Sequence, residues 1–213
     1  AIATGNSYTT PALTATTTYY VDAINNGCIS NFRTPVTATI NPIPSITGVT
    51  PASACGPASL TLGAAASAGT ISWFAADTGG TAIQTGTTYT TPLLSSTTTY
   101  YVETSNNNCK SSPRTPVVAK IKPVPTITAS TGASSCKPAS LNLQASASSG
   151  TVRWYGVATG GPLLSTGNTF TTPLLSATTT YYADAIDSGC VSTVRTPVDA
   201  TIYPSINRNT TLN

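Results

Sequence analysis

Thr97-Thr98-Thr99-Tyr100-Tyr101-Val102-Glu103 is the stretch on which the fold turns. Successive side chains of an extended chain point to opposite faces, so Tyr100 and Val102 share one face and Tyr101 and Glu103 the other. The string returns as residues 16–22, ending in Asp22, and as residues 178–184, ending in Asp184. Both copies lie 81 positions away (97 − 16 and 178 − 97). Cys28, Cys109 and Cys190 keep the same step, as do Cys55 and Cys136, Trp73 and Trp154, and Arg33, Arg114 and Arg195. A fixed period of this kind defines the unit of structure.

The unit boundaries fall at Pro42-Ile43-Pro44 and Pro123-Val124-Pro125. They predict the C-terminal part of a repeat at 1–42, full repeats at 43–123 and 124–204, and a tail or linker at 205–213. Within 43–123, Ser59–Leu62 and Thr70–Phe74 alternate polar and apolar residues, with Ile71 and Trp73 inward. Ile83 and Tyr89 mark two short strands either side of Gly86, and Val117, Ala119 and Ile121 line the last strand. The chain is read as all-β, in tandem immunoglobulin-like β-sandwich domains of about seven strands each. Trp73 and Trp154 are the expected core tryptophans, and Tyr19, Tyr100 and Tyr181 the core tyrosines of the long strand. The spacings Leu13–Tyr19, Leu94–Tyr100 and Leu175–Tyr181 match a tyrosine corner, in which the phenol ties down the crossing loop.

Composition agrees with this reading. Charged residues make up 7% of the 213, Gly and Pro number 16 each, and Thr is abundant. Thr favours strands because its β-branched side chain suits a pleated surface. The net charge of +3 comes from nine scattered Lys and Arg, not the basic stripe a nucleic-acid binder needs. No apolar run approaches a bilayer span, and residues 1–10 lack the features of a signal peptide.

The cysteines are expected to form one disulfide per full domain, Cys55–Cys109 and Cys136–Cys190, each spanning 54 positions. A bridge of that span stabilises by about 4 kcal/mol in the chain-entropy estimate. Both cysteines of a pair fall near strand ends, so the bond would staple one pole of a sandwich. Cys28 then lacks a partner because 1–42 holds only the last strands of a repeat. Truncation of a longer chain accounts for that half repeat more simply than strands donated by another chain. Disulfides of this kind imply an oxidising, extracellular compartment.

Here the sequence resembles a known family. Cys-Gly/Lys-Pro-Ala-Ser-Leu, Trp-Phe/Tyr, Thr-Gly-Gly, Thr-Thr-Thr-Tyr-Tyr, and then Cys with Arg-Thr-Pro-Val are similar to the Ig-like repeats of very large Bacteroidota secreted and surface proteins. Those proteins are associated with gliding-motility adhesins and type IX secretion. The resemblance implies a long multi-domain protein at the cell surface and no defined ligand.

Little in the chain suits catalysis. There is no His, which removes Ser–His and Cys–His pairs and His-ligated metals. Only Asp184 and Asp187 of the six carboxylates lie close in sequence, and no Asp-x-Asp pattern suggests calcium. No enzyme activity, metal or cofactor is expected. The acid of the repeated string and Arg33, Arg114 or Arg195 should lie on adjacent strands. They read as a cross-strand ion pair or an Arg bonding loop carbonyls, with a repeated ligand contact as the alternative. Phe74 and Tyr155, with Tyr101 and Tyr182 on the neighbouring strand, are expected to face outward. They would offer an aromatic platform for sugars or else simply cover the sheet.

Pro-x-Pro joints restrict the chain and make short, semi-rigid connections. The leading expectation is therefore a non-catalytic structural shaft or stalk of an extracellular cell-surface adhesin or fibre. Its partners would be the neighbouring repeats of the same long chain, with no nucleic acid and no membrane insertion. Carbohydrate-binding modules gripping a surface polysaccharide, and spacers of a secreted multi-domain enzyme, are the alternatives.

Overall fold

The computed structural model describes residues 1–204; the expected tail at 205–213 lies outside the described residues. No helix of the described residues is long and apolar enough to cross a membrane. The chain falls into two compact units. One comprises Ala1–Pro51, Thr61–Thr90 and Thr99–Val118; the other Ala52–Leu60, Thr91–Thr98 and the described residues from Ala119 onward.

The third repeat lies wholly in the second unit and is a sandwich. Its smaller sheet has the order Ile127–Thr131, Asn142–Ala147, Thr169–Thr171. Its larger sheet runs Ala133–Ser135, Thr196–Ile202, Thr179–Asp187, Thr151–Tyr155, Leu163–Thr166, and the short strand Cys190–Val191 pairs with Thr179–Asp187. The leading segment therefore serves both sheets, first antiparallel to Asn142–Ala147 and then parallel to Thr196–Ile202. Between its two parts sits Gly132, where a Cβ would run into the carbonyl of Asp199. The second repeat has the same strand order, with Pro51 at the matching crossing. These leading strands, 46–55 and 127–135, precede the first strand expected from sequence. Their Thr, Ser, Ala and Gly residues give almost no apolar alternation to read.

Alternation does fix the core. Leu143 and Phe170 of the smaller sheet meet Trp154, Tyr181, Ala183 and Val198 of the larger. Trp154 stacks on Phe170 with ring centroids 5.5 Å apart, and Phe170 meets Tyr181 edge-on at 5.0 Å. Trp73, Tyr89 and Tyr100 repeat the cluster. Each indole N–H donates to the carbonyl of the glycine in the following hairpin, Gly86 at 2.9 Å and Gly167 at 2.8 Å, which satisfies a fully buried donor. Burial pushes the phenols of Tyr89 and Tyr181 above their usual value, and repulsion from the Tyr100 phenol adds to the effect at Tyr89.

The expected tyrosine corner is replaced by a threonine corner. Thr91 Oγ1 accepts from the Leu60 amide at 3.0 Å and donates to the Pro92 carbonyl at 2.8 Å. Thr172 does the same with Leu141 and Pro173. Tyr100 and Tyr181 instead spend their rings on the core. In the half repeat, Thr17–Val21 pairs with Thr34–Ala38, and Tyr8 covers Tyr19 at 5.4 Å. The expectation that Tyr19 is a core residue is corrected: it is only half-buried, because the opposing sheet of a full repeat is not there to cover it.

Candidate functional site

Two features carry the chemistry of the chain, and the first of them repeats with the sequence period. The first is an arginine roof. Arg114 lies with its guanidinium carbon 3.3 Å above the centroid of the Phe74 ring. Its Nε donates to Glu103 Oε2 at 3.0 Å, and Nη1 to the carbonyls of Ala76 and Gly79 at 2.8 and 2.7 Å. Arg195 repeats the arrangement over Tyr155 at 3.3 Å, with Nη1 on the carbonyls of Val157 and Gly160. The Gly-Gly turns it grips have both residues at positive φ (63° and 69°, 63° and 71°), which only glycine adopts without strain. The ion-pair and carbonyl-bonding roles expected of the repeated arginine thus coincide in one side chain. Arg33 bonds Asp22 at 3.0 Å but remains 70% exposed, since residues 1–42 hold no counterpart of Thr70–Phe74 to offer a ring.

This roof corrects the expected aromatic platform. Phe74 and Tyr155 do point away from the core, directly opposite Tyr101 and Tyr182 in the strand register. Yet each is 6% exposed, because the arginine forty positions later, just ahead of the last strand of its repeat, covers it. Tyr101 and Tyr182 are left half-buried beside them.

The roof gives a graded stability prediction. Glu103 keeps only Lys110, at 3.4 Å, if Arg114 is removed. Asp184 keeps two short bonds from Arg153, at 2.7 and 3.0 Å, if Arg195 is removed. Arg114→Ala should therefore destabilise the second repeat by about 3 kcal/mol, and Arg195→Ala the third by about 1–2 kcal/mol. Lys should rescue neither, since it cannot both stack on the ring and hold three acceptors in a plane. Equal losses in urea unfolding, or rescue by Lys, would count against this assignment.

The second feature is the disulfide, and here the expected pairing is corrected. Cys55 is bonded to Cys190, across 135 positions, while Cys28, Cys109 and Cys136 are free thiols. The register explains why Cys136 does not reach Cys190 in its own repeat. Ser135, next to Cys136, pairs with Ile202 at one end of Thr196–Ile202. Cys190 sits in the hairpin beyond the other end, where Asp187 and Cys190 are paired. The intervening strand alone spans about 20 Å at 3.3 Å per residue, against a Cα separation of roughly 4–7 Å that a disulfide tolerates. The two cysteines of one repeat occupy opposite poles.

Local sequence sets each cysteine at its pole. Cys55 ends Ala52–Cys55, which pairs in parallel with Ala119–Lys122, so that Lys122 is its register partner. Cys190 follows the two-residue turn Ser188-Gly189, both at positive φ (49° and 83°), the geometry of a tight type I′ hairpin. Asn107-Asn108 and Asn26-Gly27 place Cys109 and Cys28 in the same way. Within the second unit, the hairpin at 188–192 packs on the 122–125 segment. Lys122 Nζ donates to the Ser188 carbonyl at 3.1 Å, and Ser192 Oγ to the Pro125 carbonyl at 2.9 Å.

Three solved structures similar in fold stand at low identity. A crystal structure of three successive domains from titin is 16% identical, with a TM-score of 0.48, covering 87% of this chain and 74% of its own. An I-band fragment of titin is 12% identical with a TM-score of 0.46, covering 90% and 75%. The CbhA fibronectin(III)-like modules of Clostridium thermocellum are 16% identical with a TM-score of 0.39, covering 76% and 95%. Among curated proteins, none matches the chain. The family model for the Ig-like domain described as CHU_C associated matches residues 1–42, 43–123 and 124–204. The chain belongs to that family, as a tandem array of its repeats.

Proposed function

We propose that these repeats are structural shaft modules of an extracellular adhesin or fibre, non-catalytic and joined to like repeats on either side at 42–44 and 123–125. The observation that carries this reading is the Cys55–Cys190 bond, which ties a strand of one sequence repeat to a hairpin of the next. A covalent tie between repeats suits an array that bears tension. Its formation calls for an oxidising compartment, which supports a cell-surface location. The resemblance to repeats of large Bacteroidota surface proteins favours the same placement. The arginine roof takes the two best-placed rings out of reach of a sugar, so a polysaccharide contact gains no support from them.

Single-molecule stretching of the chain, with the Cys55–Cys190 bond opened by a reductant so that force reaches both repeats, tests the reading. Force-resisting unfolding events from the second and third repeats are expected. Extension with no resisting event would exclude a load-bearing role.

A further inference from the structure

The Cys55–Cys190 bond has a counterpart one period earlier, seen with half its parts. Cys109 is the equivalent of Cys190 (109 + 81) and Asn41 the equivalent of Lys122 (41 + 81). Lys122 is the strand partner of Cys55, and the amide of Gly56 donates to its carbonyl at 2.9 Å. In the first compact unit, Cys109 Sγ lies 3.9 Å from the Asn41 carbonyl. The hairpin cysteine of the second repeat thus sits against the end of the first repeat, beside the segment following Thr34–Ala38 whose equivalent one period later pairs with Cys55. Pro44, like its equivalent Pro125, is buried at this joint.

We propose that the bond is a rule of the array: each hairpin cysteine (Cys28, Cys109, Cys190) is oxidised onto the leading-strand cysteine (Cys55, Cys136) of the repeat before it. Cys109 is then the acceptor for the leading strands of a family repeat completed ahead of Thr17–Val21. Cys136 is the donor for the hairpin of a family repeat joined after residue 204. Every repeat is covalently tied to both neighbours, and none is closed upon itself. Each bond forms from two thiols, which lose two protons and two electrons. A small-molecule disulfide takes them up, its S–S bond breaking as it leaves as two thiols. The rule concerns connectivity alone and stands whether or not the array bears load.

Two extensions of the chain test it, each oxidised with glutathione disulfide and mapped by non-reducing peptide mass spectrometry. Placing a copy of residues 43–81 directly ahead of Ala1 completes the first repeat in register. The copied Cys55 should be recovered linked to Cys109, leaving Cys28 and Cys136 as thiols. Replacing residues 205–213 with a copy of 124–204 adds a whole repeat. Cys136 should then be linked to the copied Cys190, and the copied Cys136 should be free. Pairing of either added cysteine within its own repeat would overturn the rule. So would a free Cys136 in the second fusion once the added tryptophan reports a folded repeat. That second arm remains decisive if the completed first repeat fails to fold.

Discussion

Stretched by its two ends under oxidising conditions, the protein withholds residues 56–189 from extension, and a reductant frees them as one loop of about 490 Å, taken up as the second and third repeats unfold. The length follows from 135 positions between the bonded cysteines at about 3.6 Å per residue of extended chain. The bond shelters the entire third sandwich up to its hairpin and most of the second. Force can reach those strands only after the S–S bond is cleaved. Two bonds closed within single repeats would behave differently, giving two separate releases of about 190 Å for spans of 54 positions each. The released length therefore reads the connectivity directly. The same bond should stabilise the folded second unit by about 5 kcal/mol in the chain-entropy estimate, because it closes so long a loop.

Removing the indole of Trp154 should give the largest loss from any single substitution that leaves the disulfide in place. The side chain is fully buried, stacked on Phe170, and its N–H satisfies the carbonyl of Gly167. Trp154→Ala should cost about 4 kcal/mol, a large share of the 5–15 kcal/mol that typically holds a domain together. Trp154→Phe keeps most of the apolar contact and loses the hydrogen bond, so a cost of about 1–3 kcal/mol is expected. The chain has one tryptophan per full repeat. In either variant the remaining Trp73 reports the second repeat, while circular dichroism follows both. A loss below about 1 kcal/mol for the alanine variant would mean that this indole is not the centre of the core.

How far the sequence could be read differs from residue to residue. Strand alternation placed Trp73, Leu62, Val102 and Trp154 inward, and all are buried, because a half-buried strand writes its two faces into every second residue. Alternation also sent Phe74 and Tyr155 to the outer face correctly, but it cannot say what lies over a face. Their cover comes from Arg114 and Arg195, which lead into a strand distant in sequence and brought near by the hairpin. A paired reading of the repeated arginine with the Gly-Gly turn, both invariant in the two full repeats, was the available signal. The leading strands at 46–55 and 127–135 escaped notice because small and polar residues leave no period, and with them went the position of Cys55. Spacing between cysteines counts residues, not poles. Only once Cys55 is placed beside Lys122 and Cys190 after its hairpin turn does the pairing across repeats follow.

The most direct test of this account is a thiol count on the oxidised, denatured chain, with peptide mapping of the disulfide. Three free thiols, at Cys28, Cys109 and Cys136, and one linked peptide joining Cys55 to Cys190 are predicted. A single free thiol at Cys28, with Cys55 linked to Cys109 and Cys136 to Cys190, would contradict it.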